Sequence, residues 1–267
     1  MYLKIHDQLL RIIELQQPPK RIISVVPSQT ELLFGLGVSA ELIVGVTKFC
    51  IHPEAETQKI TKIGGTKQLD AEKIKSLKPD LILANKEENT KEQIELLMQV
   101  APVWISDVVT LENALEMIAA VGQLTDTQQK AQSLVSTIGS SFDKLPKRKP
   151  LRVAYYIWKG PYMVAGGGTF IDNLLQEVGF ENVFAEKHRY PAVLMSDLAE
   201  ASPEVILLSD EPYPFKPKHL EQFKAVCPQA QVVLVRGDMF SWYGSRLLET
   251  PNYINELWRI LAPTLRH

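Results

Sequence analysis

Two stretches of this chain share one pattern. Lys78-Pro-Asp-Leu-Ile-Leu-Ala and Ser202-Pro-Glu-Val-Ile-Leu-Leu each place a proline and an acidic residue before a short apolar run. Proline cannot continue a helix, because it lacks an N–H and its ring clashes with the preceding turn. The run that follows has the length and composition of a buried strand. Pro79 and Pro203 are 124 residues apart, and the opening strands at Arg21 and Leu151 are 130 apart. Such similar offsets point to two similar lobes rather than one continuous sheet.

Each lobe alternates strands with helices, the pattern of a parallel α/β architecture. In the first lobe, Arg21-Ile-Ile-Ser-Val-Val reads as a strand ended by Pro27. Ser28 or Thr30 is the expected cap of a helix from Glu31 to Leu36, stopped by Gly37. Leu42–Val46 is a second strand. Asp70 caps a helix through Leu77, and Thr90 caps another through Met98. Leu81-Ile-Leu-Ala and Val103-Trp-Ile are further strands. In the second lobe, Leu151–Ile157 is a strand, and Gly166–Gly168 turn the chain. Thr169 then caps a helix that Gly179 stops. Between the lobes, Thr110–Leu145 shows helical periodicity only, with Thr125 or Asp126 capping Gln128–Phe142. The expected division is an N-terminal α/β lobe over 1–110, a helical connector over 111–147 and a C-terminal α/β lobe over 148–267.

At 267 residues the chain has room for two such units. A net charge of −2 offers no positive field to hold a polyanion, so nucleic acid is not an expected partner. Two cysteines make no disulfide framework. The stretch from Met1 to Arg21 lacks the basic start, apolar run and cleavage site of a signal peptide. With Met1 as native start a cytoplasmic protein is expected; after trimming of a leader, a periplasmic or extracellular one. A monomer is expected.

Ligands of α/β proteins sit beyond the carboxyl ends of the strands. The segments there are rich in aromatics: Trp158, Tyr162, Tyr213, Phe215, Phe240, Trp242 and Tyr243. Loops are normally polar, so this density points to a wall for a flat or polycyclic ligand. Lys159 and Arg246 are candidates to meet its carboxylates or phosphates. Lys48, Phe49, Cys50 and His52 follow the second strand, and His52 is a candidate to ligate a metal carried within a bound cofactor. Two such groups fall short of a dedicated zinc site. Walker, G-x-S-x-G and G-x-G-x-x-G signatures of enzymes are missing, so no catalytic residue is assigned.

The opening Arg21-Ile-Ile-Ser-Val-Val-Pro-Ser-Gln-Thr-Glu-Leu-Leu-Phe-Gly-Leu-Gly resembles that of class III periplasmic binding proteins. That family serves ABC importers of cobalamin, haem and ferric siderophores. Val44-Gly-Val, Ile63-Gly-Gly and Leu69-Asp-Ala-Glu-Lys-Ile-Lys-Ser-Leu-Lys-Pro-Asp-Leu-Ile are similar to it in order and spacing. The resemblance covers about residues 20–262 and looks nearest to the cobalamin-binding branch. It implies two Rossmann-like lobes joined by a long helix, with the ligand held in the cleft between them. It also implies a Glu on each lobe that docks on an ABC permease. Glu72 matches the first position; the second falls near Ser196-Asp197, where no Glu stands.

The expectation is therefore a non-enzymatic solute-binding protein that requires no cofactor. Its ligand is a metal-bearing macrocycle or chelate, corrinoid first, then haem or a ferric siderophore. The alternatives are an intracellular enzyme or chaperone handling such a cofactor, with Cys50 and His52 reactive, and a metal-ion receptor.

Overall fold

A computed structural model describes residues 2–261. The chain divides into two compact units. One contains the chain up to Val108, Glu112–Ile138 and Tyr243–Arg246; the other contains Val109–Leu111, Gly139–Trp242 and the chain from Leu247.

The first unit opens with strands β1 (Leu3–His6) and β2 (Ile12–Leu15), followed by β3 (Ile22–Ser24) and helix α1 (Pro27–Gly35). Next come β4 (Ile43–Val46), α2 (Glu54–Thr57), β5 (Gly64–Gly65), β6 (Gln68–Leu69) and α3 (Ala71–Ser76). Strand β7 (Leu81–Asn85), α4 (Lys91–Leu97), β8 (Val103–Ser106) and α5 (Leu111–Leu124) complete the run. The sheet order is β4-β3-β7-β8, parallel throughout. Ile23, Val25, Ile63, Ile74, Ile82 and Val103 lie in its core. Helix α6 (Gln128–Asp143) runs across the division between the units.

The second unit holds β9 (Leu151–Trp158), β10 (Met163–Val164), α7 (Phe170–Glu177), β11 (Phe180–Asn182) and α8 (Met195–Ala201). It continues with β12 (Val205–Ser209), α9 (Leu220–Val226), β13 (Gln231–Val235), α10 (Asp238–Ser241) and α11 (Thr250–Leu261). Strands β9, β12 and β13 are parallel neighbours. On the outer edge of β9, β11 pairs with its start and antiparallel β10 with its end.

Three expected caps are in place: Asp70, Thr90 and Thr169 accept from the backbone N–H of Lys73, Gln93 and Asp172. The cap expected at Ser28 or Thr30 is not. Pro27 already occupies the first turn of α1, where its missing N–H costs nothing, so both residues lie inside the helix. The Thr30 hydroxyl donates back to the carbonyl of Val26. Thr125 likewise closes α5 by donating to Val121, and Asp126 is left-handed at φ 57°. The β1–β2 hairpin had no counterpart in the sequence reading. Buried Asp7 organises its turn, accepting from the N–H groups of Leu9 and Arg11, and the Gln8 N–H donates to Ile105 on β8. The hairpin thereby covers an edge strand that would otherwise expose its backbone groups.

Candidate functional site

In the first unit the strand ends close over a network of amides and hydroxyls. Asn85 donates to the Ser106 hydroxyl at 2.9 Å and accepts from the N–H groups of Glu87 and Glu88 at 2.8 and 3.0 Å. Asn89 donates to the carbonyls of Val25 and Thr66. The Gln29 amide reaches the Ser106 hydroxyl and the Ala84 carbonyl. Gln29, Asn85 and Ser106 are all buried. Buried polar groups are costly unless satisfied, and these bonds tie the loops after β3, β7 and β8 to one another.

The segment after β4 separates into buried and exposed residues. Phe49 is 51% exposed, and the Lys48 ammonium sits 5.1 Å from its ring centre. His52 is half-buried. Cys50, read above as a candidate ligand or reactive thiol, is fully buried. Its sulfur lies 3.0 Å from the Thr30 hydroxyl and 3.2 Å from that of Thr47. Burial pushes its thiol pKa up, the opposite of what a nucleophile or metal ligand requires. Cys50 is a core residue that reading by spacing mistook for a surface one.

In the second unit the strand ends carry aromatics. Trp158, at the end of β9, is 38% exposed and meets Tyr213 edge-to-face at 5.7 Å. Tyr213 packs on Phe215 and on the His219 ring. Lys159 and the Tyr162 hydroxyl both donate to the side-chain oxygen of Gln222, at 3.0 and 2.9 Å. Tyr162 in turn rests edge-on against Tyr156 and Phe223. Trp242 is half-buried, and its indole N–H donates to Glu211 at 2.9 Å. Burial pushes the Glu211 carboxyl above its ordinary range; the charges of Asp238 and Asp210 add to this, while the hydrogen bonds from Ser241 and Trp242 oppose it.

Three expected ligand residues are placed elsewhere. Phe240 is fully buried in the core of the second unit, against Tyr155 at 5.1 Å and Tyr253 at 6.2 Å. A side chain with no surface offers a ligand none, so its expected role is withdrawn. Tyr243 and Arg246 belong to the first unit and are buried. The Arg246 guanidinium makes a two-point ion pair with Glu31 on α1, so its charge is already matched. Glu72 is exposed in the first turn of α3. At the matching place in the second unit, Asp197 spends its carboxylate on the N–H of Leu194.

Glu211, Gln222 and Glu31 escaped the sequence reading. Glu211 was visible as a residue after a strand, but its bond to Trp242 spans 31 residues, which no local pattern encodes. Among the described residues, no three His, Cys, Asp or Glu gather as a metal site. No helix there is long and apolar enough to cross a membrane. A concavity of about 420 Å³ in the second unit lies at the opposite end of its sheet, lined by Leu151, Val205 and Gln231 at the strand starts.

The chain is built of two α/β units, and it matches the periplasmic binding protein family model over residues 22–228. The chain belongs to that family of substrate-binding proteins. Among curated relatives, the vitamin B12-binding protein of Salmonella typhimurium is 27% identical over 196 residues, covering 71% of this chain and 72% of the relative. Among solved structures, the periplasmic vitamin B12-binding protein BtuF of Vibrio cholerae superposes with a TM-score of 0.77 at 21% identity, covering 94% of this chain and 99% of its own. The periplasmic haem-binding protein BhuT, in complex with two hemes, also gives 0.77, at 24% identity over 92% of this chain and 99% of its own.

Proposed function

We propose that this protein captures a metal-bearing macrocycle or chelate outside the cytoplasm and passes it to an ABC permease. A corrinoid is the first choice of ligand; haem or a ferric siderophore comes next. The observation that carries this reading is the aromatic pair Trp158–Tyr213 at the strand ends of the second unit, with half-buried Trp242 on another of its strand-end loops. Flat conjugated ligands are bound by such faces through stacking. The relatives named for vitamin B12 and haem support the same ligand class.

Phe49, Lys48, His52, Lys159 and Tyr162 complete the proposed ligand set, with His52 the candidate to touch the bound metal. Exposed Glu72 is the proposed permease contact. The role is carriage rather than catalysis, by a monomer, with residues 1–110 and 148–267 as the ligand-holding lobes and 111–147 as their connector.

The test is a thermal-shift series with cyanocobalamin, cobinamide, haemin, a ferric catecholate, zinc and manganese. A ligand that binds only the folded state adds about 2.7 kcal/mol at 100 times its dissociation constant. A corrinoid is expected to raise the Tm, and Trp242→Ala to weaken its binding at least about tenfold. Stabilisation by zinc or manganese alone would replace this reading with a metal-ion receptor. No shift with any macrocycle or ferric chelate would overturn it.

A further inference from the structure

We propose that Glu211 is a positioning residue for ligand capture: it holds the indole of Trp242 so that the ring presents its aromatic surface while its N–H is kept inside the protein. This rests on the reading of Trp242 as part of the ligand wall. The geometry begins at the ends of two neighbouring strands. Glu211 lies two residues beyond β12, and Trp242 immediately follows α10, the short helix after β13. One carboxylate oxygen, Oε1, accepts from Trp242 Nε1 at 2.9 Å and from Ser241 Oγ at 3.0 Å. Ser241 Oγ also lies 2.9 Å from the Gly237 carbonyl, so its one proton is shared between the two acceptors and the indole N–H is the undivided donor to Glu211.

The two loops are tied behind this contact. Ser209 Oγ donates to the Glu211 carbonyl at 2.6 Å, and the Gly237 N–H donates to Asp210 Oδ1 at 2.7 Å. A Cβ on Gly237 would stand 2.4 Å from both Glu211 Cγ and Ser209 Oγ, so only a bare backbone lets the loops approach this closely. Among the described residues Glu211 has no ion-pair partner; Arg236 is engaged by Asp238. A half-buried carboxylate bonded by an indole N–H and a hydroxyl orients those groups rather than neutralising a charge. Charge-assisted bonds of this type are about twice as strong as neutral ones, enough to select one indole rotamer. Trp242 is also the last residue of the second unit before the chain enters the first at Tyr243. With its N–H committed, Trp242 recognises a flat conjugated surface and discriminates against ligands that need a hydrogen-bond donor at that point.

The test separates orientation from structure. The indole Nε1–H resonance of Trp242 is assigned by ¹⁵N NMR through its loss in Trp242→Phe. In Glu211→Ala this resonance is expected to shift, and its solvent exchange to speed up at least tenfold. Affinity for cyanocobalamin or haemin, whichever the wild-type protein binds, is expected to fall at least fivefold. Glu211→Gln keeps an acceptor oxygen and is expected to restore most of both losses. In a Trp242→Phe background, Glu211→Ala is expected to cost no further affinity, since coupled residues are not additive. An unchanged indole signal in Glu211→Ala overturns the proposal. A released indole with unchanged affinity overturns the ligand role while leaving the hydrogen bond. If the wild-type protein binds neither of these nor a ferric catecholate, the functional reading fails by itself, and the indole signal still decides whether Glu211 positions Trp242. Should Glu211→Ala not fold, Glu211→Gln and the Trp242→Phe pair carry the same comparison.

Discussion

The two units solve the start of their sheets identically and the end of their sheets differently. In the first, Asp80 accepts from the N–H groups of Lys20 and Arg21, and the Arg21 guanidinium donates to the carbonyls of Leu77 and Lys78. In the second, Glu204 accepts from the N–H of Arg152, whose guanidinium donates to the carbonyls of Ala201 and Ser202. Lys78 and Ser202 are both left-handed, at φ 47° and 43°, and each precedes its proline. The arginine thus closes the end of a short helix, and the acid clips one strand to its neighbour. At the other end of the sheets the likeness stops. The first unit closes its loops with Asn85, Asn89, Gln29 and Ser106; the second leaves Trp158, Tyr213 and Trp242 partly open. What is shared builds the fold, and what differs lies where α/β proteins place their ligands.

Arg246→Ala is expected to have the largest effect, because it leaves Glu31 on α1 without its guanidinium. Removing one partner of a largely buried ion pair costs about 3 kcal/mol. Denaturant unfolding should show that loss, and none would mean that Arg246 is not a structural part of the first unit. Next, Asn85→Ala is expected to cost about 2 kcal/mol, since buried donors and acceptors lose their partners. Its ligand affinity should be nearly unchanged. Trp158→Ala should show the reverse, with a clear loss of ligand affinity and a smaller loss of stability. If both variants lost affinity equally, the contrast between the two sets of strand ends would break.

Asp80→Ala and Glu204→Ala should each cost about 1 kcal/mol, the net worth of a typical intramolecular hydrogen bond. Equal losses sharpen the equivalence of the two strand starts; a twofold difference weakens it. The smallest effect is on pH dependence. Burial raises the Glu211 carboxyl in the folded protein, so its ionised form weighs against folding at neutral pH. As pH falls through that raised value, the folded state takes up a proton before the unfolded state does, and stability rises. The gain is complete below the ordinary carboxylate value near 4.5. Thermal melts of wild type minus Glu211→Gln should show this rise, and parallel curves would contradict it.

Much of this was legible from local pattern. The prolines, acids and apolar runs repeat because each unit needs the same helix stop and the same buried strand. The structure moves the strand offset by one residue: Ile22 pairs with Leu81 and Val153 with Val205, so Arg21 matches Arg152 rather than Leu151. Caps at Asp70, Thr90 and Thr169 were readable because capping depends on residues three apart. The Arg148 guanidinium lies 4.9 Å from the Trp258 ring centre, a contact across 110 residues that no local pattern carries. Phe240 and Cys50 were misread because a position after a strand does not say which way the side chain turns.

The sequence by itself determined the class of fold, the doubling of the α/β pattern and the enrichment of aromatics after the strands, since each follows from short-range periodicity and composition. Tertiary structure decided which of those side chains stay at the surface, that Arg246 is matched by Glu31, and that Glu211 grips Trp242. Those contacts join residues 215 and 31 positions apart. Burial and long-range pairing are properties of packed surfaces, and no local pattern carries them.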